Sequence, residues 1–134
     1  DSSSNSNNGT ASNSPTLGAA GIFSSSVEFD ASSEGIIIPD NSVFDITDTI
    51  SVSVWIYPKT DTTTYNRFVE KDFATSWYFG SGAGPNDLSV WINNARRAFS
   101  ATNIIPVNQW SHALFTYDKD AGGVDEIKIY LNGI

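Results

Sequence analysis

The stretch TISVSVWIYP, residues 49–58, constrains the fold more than any other part of the chain. In an extended backbone Ile50, Val52, Val54 and Ile56 fall on one side, and Ser51, Ser53, Trp55 and Tyr57 on the other. A period of two offers one apolar face to a core, whereas a helix would scatter these residues around its axis. Pro58 ends the run because it brings no amide donor to a ladder. SSVEFD, GIIIP, NRFVEKD, SWYFGS, DLSVWIN, RAFSAT, QWSHALFTYD and EIKIYLNG are also short and bounded by Gly, Pro, Asn, Asp or Ser. No segment carries a sustained helical stripe. Eight or nine short strands without intervening helices predict an antiparallel all-β fold, closed as a two-sheet sandwich or a jelly roll.

A chain of 134 residues is one domain of ordinary size. It buries roughly two thirds of its unfolded surface, enough for a core without staples. The sequence has no cysteine, which excludes disulfides, thiol nucleophiles and cysteine zinc sites. Residues 1–21, DSSSNSNNGTASNSPTLGAAG, are Ser, Asn and Gly with little that is apolar, and read as a loop leading into a domain over 22–134. Asn8-Gly9-Thr10 has the form of a glycosylation sequon, as such a loop yields by chance. The net charge is −8, and no Lys or Arg precedes Lys59, whereas Asp1, Glu28, Asp30, Glu34, Asp40, Asp45 and Asp48 do. A phosphate backbone needs a basic patch, so nucleic acid is not an expected partner. No run is long and apolar enough for membrane insertion. An acidic chain suits a divalent cation or a neutral ligand such as a sugar, beside the plainer role of a solvated acidic surface.

The order of these segments carries a resemblance. DSSSNSNNGT comes first, followed by VEFD, GIIIP, TISVSVWIYP, FVEKD, QWSHALFTYD and IKIYLNG. This order resembles the laminin G-like jelly-roll domains of the concanavalin A-like lectin/glucanase superfamily, and the likeness spans nearly the whole chain. It implies a concanavalin A-like jelly roll. In those domains a strand usually precedes the Asp-Ser loop and further strands follow the Y-x-N-G turn. The resemblance therefore implies a fragment with terminal strands missing, incomplete at the C-terminus, or a permuted or partner-completed domain. It also implies a structural calcium between the early Asp loop and a closing Asp strand absent here, with Asp1 and Asn5 near it. Trp55 and Trp110 match framework tryptophans and are assigned to packing.

Several constellations bear on chemistry. Glu70 and Asp72 share a strand face by period, the arrangement a retaining glycosidase needs at about 5 Å, but they lack the repeated acidic pattern of that catalytic strand. Asp125 and Glu126 are adjacent and point apart. His112, the one histidine, shares a face with Trp110 and Leu114 and reads as packed and hydrogen-bonded, since no nucleophile-elbow motif accompanies it. DKDAGGVDE reads as a hairpin loop, with Gly122 and Gly123 supplying positive φ, more than as a calcium loop. ATSWYFGSGAGPNDLSVWINNARR gathers Trp77, Tyr78, Trp91, Asn93, Asn94, Arg96 and Arg97. Trp91 lies between Ser89 and Asn93 on one strand face; it either stacks on a pyranose ring or covers the sheet. Trp77, Trp91, Asn93, Asn94 and Arg96 are the expected ligand-binding residues.

The expected function is a non-catalytic carbohydrate-binding or adhesion module of a larger surface or secreted protein. Its expected location is extracellular, at a cell or virion surface, and its expected partner a glycan or a neighbouring protein domain. A structural or protein-interaction module of a phage or bacterial surface protein is the alternative. A glycoside hydrolase fragment is the third.

Overall fold

The structure, a computed structural model, describes residues 3–45, 48–62, 65–72, 75–82, 84–92, 95–122 and 126–134, with 95–97 in backbone alone. It is all-β and antiparallel, consistent with a concanavalin A-like sandwich. The chain divides into two units, Asp1–Phe44 and Asp45–Ile134.

In the first unit β1 (Thr10–Ser12) pairs with β4 (Gly35–Ile37), and β2 (Thr16–Ala20) pairs with β3 (Ser25–Glu28) across a bulge between Leu17 and Ala19. This corrects the reading of residues 1–21 as a loop. Gly, Asn and Ala have weak strand preference, but cross-strand partners supply the ladder bonds that composition does not reveal. Asn13 and Ser14, with φ of 58° and 65°, turn the chain between β1 and β2. A short 3-10 turn, Ser42–Phe44, is opened by Asn41 Oδ1, which accepts from Val43 N at 3.0 Å.

The second unit holds two sheets. Strands β5 (Thr49–Ile56), β10 (Ser111–Asp118) and β11 (Ile127–Leu131) form one, in the order β11-β10-β5. Strands β6 (Arg67–Lys71), β7 (Trp77–Gly80), β8 (Ser89–Ile92) and β9 (Ala95–Phe99) form the other, in chain order. The alternation in β5 is realised as expected: Ile50, Val52, Val54 and Ile56 pack on the core, while Ser51, Ser53, Trp55 and Tyr57 are exposed. Opposite them in register, Ala113 and Phe115 of β10 are completely buried. Trp77, Phe79, Leu88, Val90 and Ile105 complete the core from the other sheet and its loops. The Phe115 ring meets Phe79 at 5.1 Å and Trp77 at 5.8 Å, both edge-on, the preferred geometry of aromatic pairs.

Two turns show how local chemistry sets the strand ends. Leu131 and Ile134 exchange both hydrogen bonds of a narrow pair, around Asn132 and Gly133 at φ of 53° and 87°. Positive φ at both central residues defines a type I′ hairpin turn, which Asn-Gly favours. Between β10 and β11, Asp118 Oδ1 accepts from Asp120 N at 3.0 Å and Gly122 adopts a φ of 69°; Gly123 lies outside the described residues. Lys119 in this loop pairs with Asp48. The hydrogen bond that Lys119 donates to Asp48, then the charge of that carboxylate, raises the Lys119 pKa above its ordinary value. The pair's stabilisation is thus present below that value and is lost as pH climbs through the raised one.

Gly80 is fixed by close approach. A Cβ there would fall 2.9 Å from Arg67 Cα and 3.0 Å from Asn66 C, and closer still to Asn66 O. These are backbone atoms of the neighbouring strand and cannot swing aside. Gly80→Ala is expected to cost about 3 kcal/mol by forcing β6 from β7, read as the shift in urea midpoint at unchanged slope.

Candidate functional site

Strands β7 and β8 turn every second residue away from the core. Register pairs Glu70 with Tyr78, Tyr78 with Trp91, and Trp91 with Arg96, so one row crosses all four strands. The Tyr78 and Trp91 rings stack at 5.7 Å and 16°. Tyr65, from the loop before β6, meets Trp91 edge-on at 5.9 Å and is 56 % exposed. The Arg67 guanidinium carbon stands 5.6 Å from the centroid of the Tyr78 ring, and its Nη1 lies 3.1 Å from Glu70 Oε2. A cation over a ring face is attracted by the quadrupole. The ion pair, half-exposed on both sides, adds little by itself.

Beneath these rings lies a buried carboxylate. Asp87 is completely buried; Gly82 N donates to its Oδ1 at 3.0 Å and Ser89 Oγ to its Oδ2 at 2.8 Å. Both bonds have ordinary hydrogen-bond lengths. They hold the β7–β8 loop against the aromatic row. A Cβ at Gly82 would sit 2.7 Å from Trp91 Nε1 and 2.9 Å from Tyr78 Oη, so glycine lets this backbone reach the polar edges of both rings. The same loop anchors the segment leading to Tyr65. Asn86 Oδ1 accepts from Thr62 N at 2.8 Å, Asn86 N donates to Thr62 Oγ1 at 2.7 Å, and Asn86 Nδ2 donates to Asp61 Oδ1 at 2.8 Å.

The result is an aromatic cluster in which Tyr65 and Trp91 reach solvent beside a completely buried Tyr78, with a carboxylate and a guanidinium at its border. Rings of this kind cover the apolar C–H face of a sugar, and charged or amide groups bond its hydroxyls.

The sequence-predicted residues divide. Trp91 stands half-buried in this cluster, and Arg96 is its cross-strand partner. Trp77 is corrected: parity turns it inward, where it is 6 % exposed and packed on Phe115, so its ring is not offered to a ligand. Asn93, Asn94 and the Arg96 side chain lie outside the described residues, as does Asp1. Asn5 is exposed, and its backbone N donates to Ser3 Oγ at 3.2 Å. Among the described residues no group of three or more His, Asp or Glu converges as a metal site. Glu70 and Asp72 do not share a strand face. Strand β6 ends at Lys71, and Asp72 takes a φ of 44° and accepts from Thr75 Oγ1 at 2.6 Å.

Sequence reasoning missed Tyr65, Arg67 and Asp87. A lone aromatic after the polar run DTTT was a signal for Tyr65, and the acid in the glycine-rich loop for Asp87. On the other sheet His112 is half-buried, with Nε2 2.6 Å from Ser53 Oγ. Trp55, assigned to packing by resemblance, instead turns outward and is 41 % exposed.

Among known families, a family model, Laminin_G_3, described as concanavalin A-like lectin/glucanases superfamily, matches residues 30–134. Neither the curated proteins nor the solved structures compared with the chain match it. The matched span includes both sheets of the second unit, the aromatic row and the Asp87 loop. The chain therefore belongs to the Laminin_G_3 family of the concanavalin A-like lectin/glucanase superfamily.

Proposed function

We propose that the chain is a non-catalytic carbohydrate-binding or adhesion module of a larger surface or secreted protein. The observation that carries this reading is the Tyr65–Trp91–Tyr78 cluster outside the four-stranded sheet, braced by buried Asp87. Membership of a lectin and glucanase superfamily supports a generic binding module, and domains of this type are usually extracellular. Tyr65 and Trp91 cover the apolar side of a sugar ring. Glu70 accepts from its hydroxyls, and Arg67, Arg96, Asn93 and Asn94 donate to it. Stacking with directional bonds gives specificity without bond cleavage.

The test is a glycan array probed with the parent chain, Tyr65→Ala and Trp91→Ala. Truncating a central aromatic anchor costs about 2 kcal/mol or more, roughly a thirtyfold loss of affinity. Both variants are expected to lose that much on any glycan the parent binds. Tyr65 is exposed, so its variant separates lost binding from lost folding. Unchanged binding, or reducing-sugar release from a polysaccharide, overturns the reading.

One observation favours a structural or protein-interaction module instead: Leu17, Phe23 and Ile37 of the first unit are 62 %, 77 % and 59 % exposed. Exposed apolar side chains of this kind suit a protein neighbour. No glycan binding, together with concentration-dependent oligomerisation in sedimentation, would select it.

A further inference from the structure

The outer face of the three-stranded sheet carries two adjacent aromatic rows. Register places Trp55 of β5 opposite His112 of β10, with ring centroids 5.1 Å apart and planes tilted by 40°. Just beyond the strand ends, Tyr57 and Trp110 meet at 5.4 Å and 59°. Trp55 and Tyr57 are each 41 % exposed. The histidine beside Trp55 is held in place: its Nε2 lies 2.6 Å from Ser53 Oγ, and its backbone N donates to Asn132 Oδ1 at 2.9 Å. The indole is therefore braced before any ligand arrives, which lowers the ordering cost of binding.

Cross-strand aromatic pairs stabilise a sheet, but that role is served as well by rings turned away from solvent. The charge pattern adds a second argument. The chain carries −8, yet neither aromatic row contains a carboxylate or a cationic Lys or Arg. By strand register the charged residues on this face, Lys128 and Asp118, stand two or more rows from His112, so an anionic ligand on the aromatic rows would meet the acidic field of the whole chain and a cationic one would find no counter-charge within those rows. A neutral ligand with an apolar face and a hydroxyl edge fits an exposed indole beside a serine hydroxyl and an imidazole.

We propose that Trp55, His112, Tyr57 and Trp110, with Ser53, form a second binding platform, for an extended neutral oligosaccharide lying along β5. Rows two residues apart are about 7 Å apart on a strand, so at least two sugar units make ring contacts. This site shares no residue with the Trp91 cluster, and either can fail alone.

The experiment is a two-dimensional NMR titration of the 15N-labelled full chain. The four indole N–H signals are assigned with single Trp→Phe variants. The probes are linear tetrasaccharides of β-1,4-glucose, β-1,4-xylose, β-1,4-mannose and α-1,4-glucose, with tetragalacturonate as the anionic control. The expected result is that at least one neutral probe moves the Trp55 and Trp110 signals. Trp55→Ala should then weaken that binding tenfold or more. Ser53→Ala, which keeps the indole, should weaken it about threefold. Thermal unfolding of each variant checks that the sheet persists. Movement at Trp91 alone overturns this platform and leaves the first site standing; movement at Trp55 and Trp110 alone supports the platform and counts against the first site. No neutral probe moving Trp55, tetragalacturonate alone moving it, or Trp55→Ala binding as tightly as the parent overturns the proposal.

Discussion

Phe115→Ala is expected to lower the unfolding free energy by about 4 kcal/mol, among the largest effects any single truncation in this chain produces. The side chain is completely buried in the centre of β10, with Val52 opposite in register and Trp77 and Phe79 across the core. Removing the ring forfeits its transfer free energy and leaves a cavity that two rigid sheets cannot collapse to fill. Ser51→Ala is the control on the exposed face of β5, and surface changes of this kind stay within about 0.5 kcal/mol. Urea unfolding followed by tryptophan fluorescence measures both. A loss under about 1 kcal/mol for Phe115→Ala would mean that the ring is not in a packed core.

Asp87→Ala is expected to cost about 3 kcal/mol and to weaken ligand binding with it. The substitution strands the amide of Gly82 and the hydroxyl of Ser89, both completely or largely buried, without their acceptor. Removing the shared acceptor costs more than the net worth of its bonds, because the buried donors are left unsatisfied. Asp87→Asn keeps the shape and one acceptor oxygen, and should lose less than half as much stability. The first glycan affected should be whichever one the Trp91 cluster binds, because the loop that Asp87 holds lies against the edges of Tyr78 and Trp91. Unchanged stability in Asp87→Ala would contradict the role given to the carboxylate.

The sandwich was legible in the sequence because alternation reports burial directly. Val52 and Val54 could face one way or the other, and their serine neighbours decided it. Trp77 shows the limit of the same logic. Its strand reads SWYFGS, with aromatic residues at three successive positions, so parity had no polar marker to tell inside from outside. Register settles it: Trp77 pairs with Ile92 and Phe79 with Val90 on the core side, which leaves Tyr78 and Trp91 on the other face, where Tyr78 is itself completely buried and Trp91 half-buried. Tyr65 and Asp87 were hidden for another reason. Both act from loops, and what brings a loop to a sheet is long-range bonding such as that of Thr62 with Asn86, which no local pattern encodes. Strands β1 and β2 were missed because their pairing partners, not their own composition, make them strands.

Both proposed sites exist because two sheets face each other and turn their other faces outward. The most direct test is a double-mutant cycle between Phe79 of the four-stranded sheet and Phe115 of the three-stranded one, using Phe→Leu at each position and urea unfolding. Contact across the core predicts a coupling of about 1 kcal/mol, as measured for edge-to-face rings. Strict additivity of the two substitutions, within about 0.3 kcal/mol, would mean that these rings do not meet and that the sheets are not stacked as described.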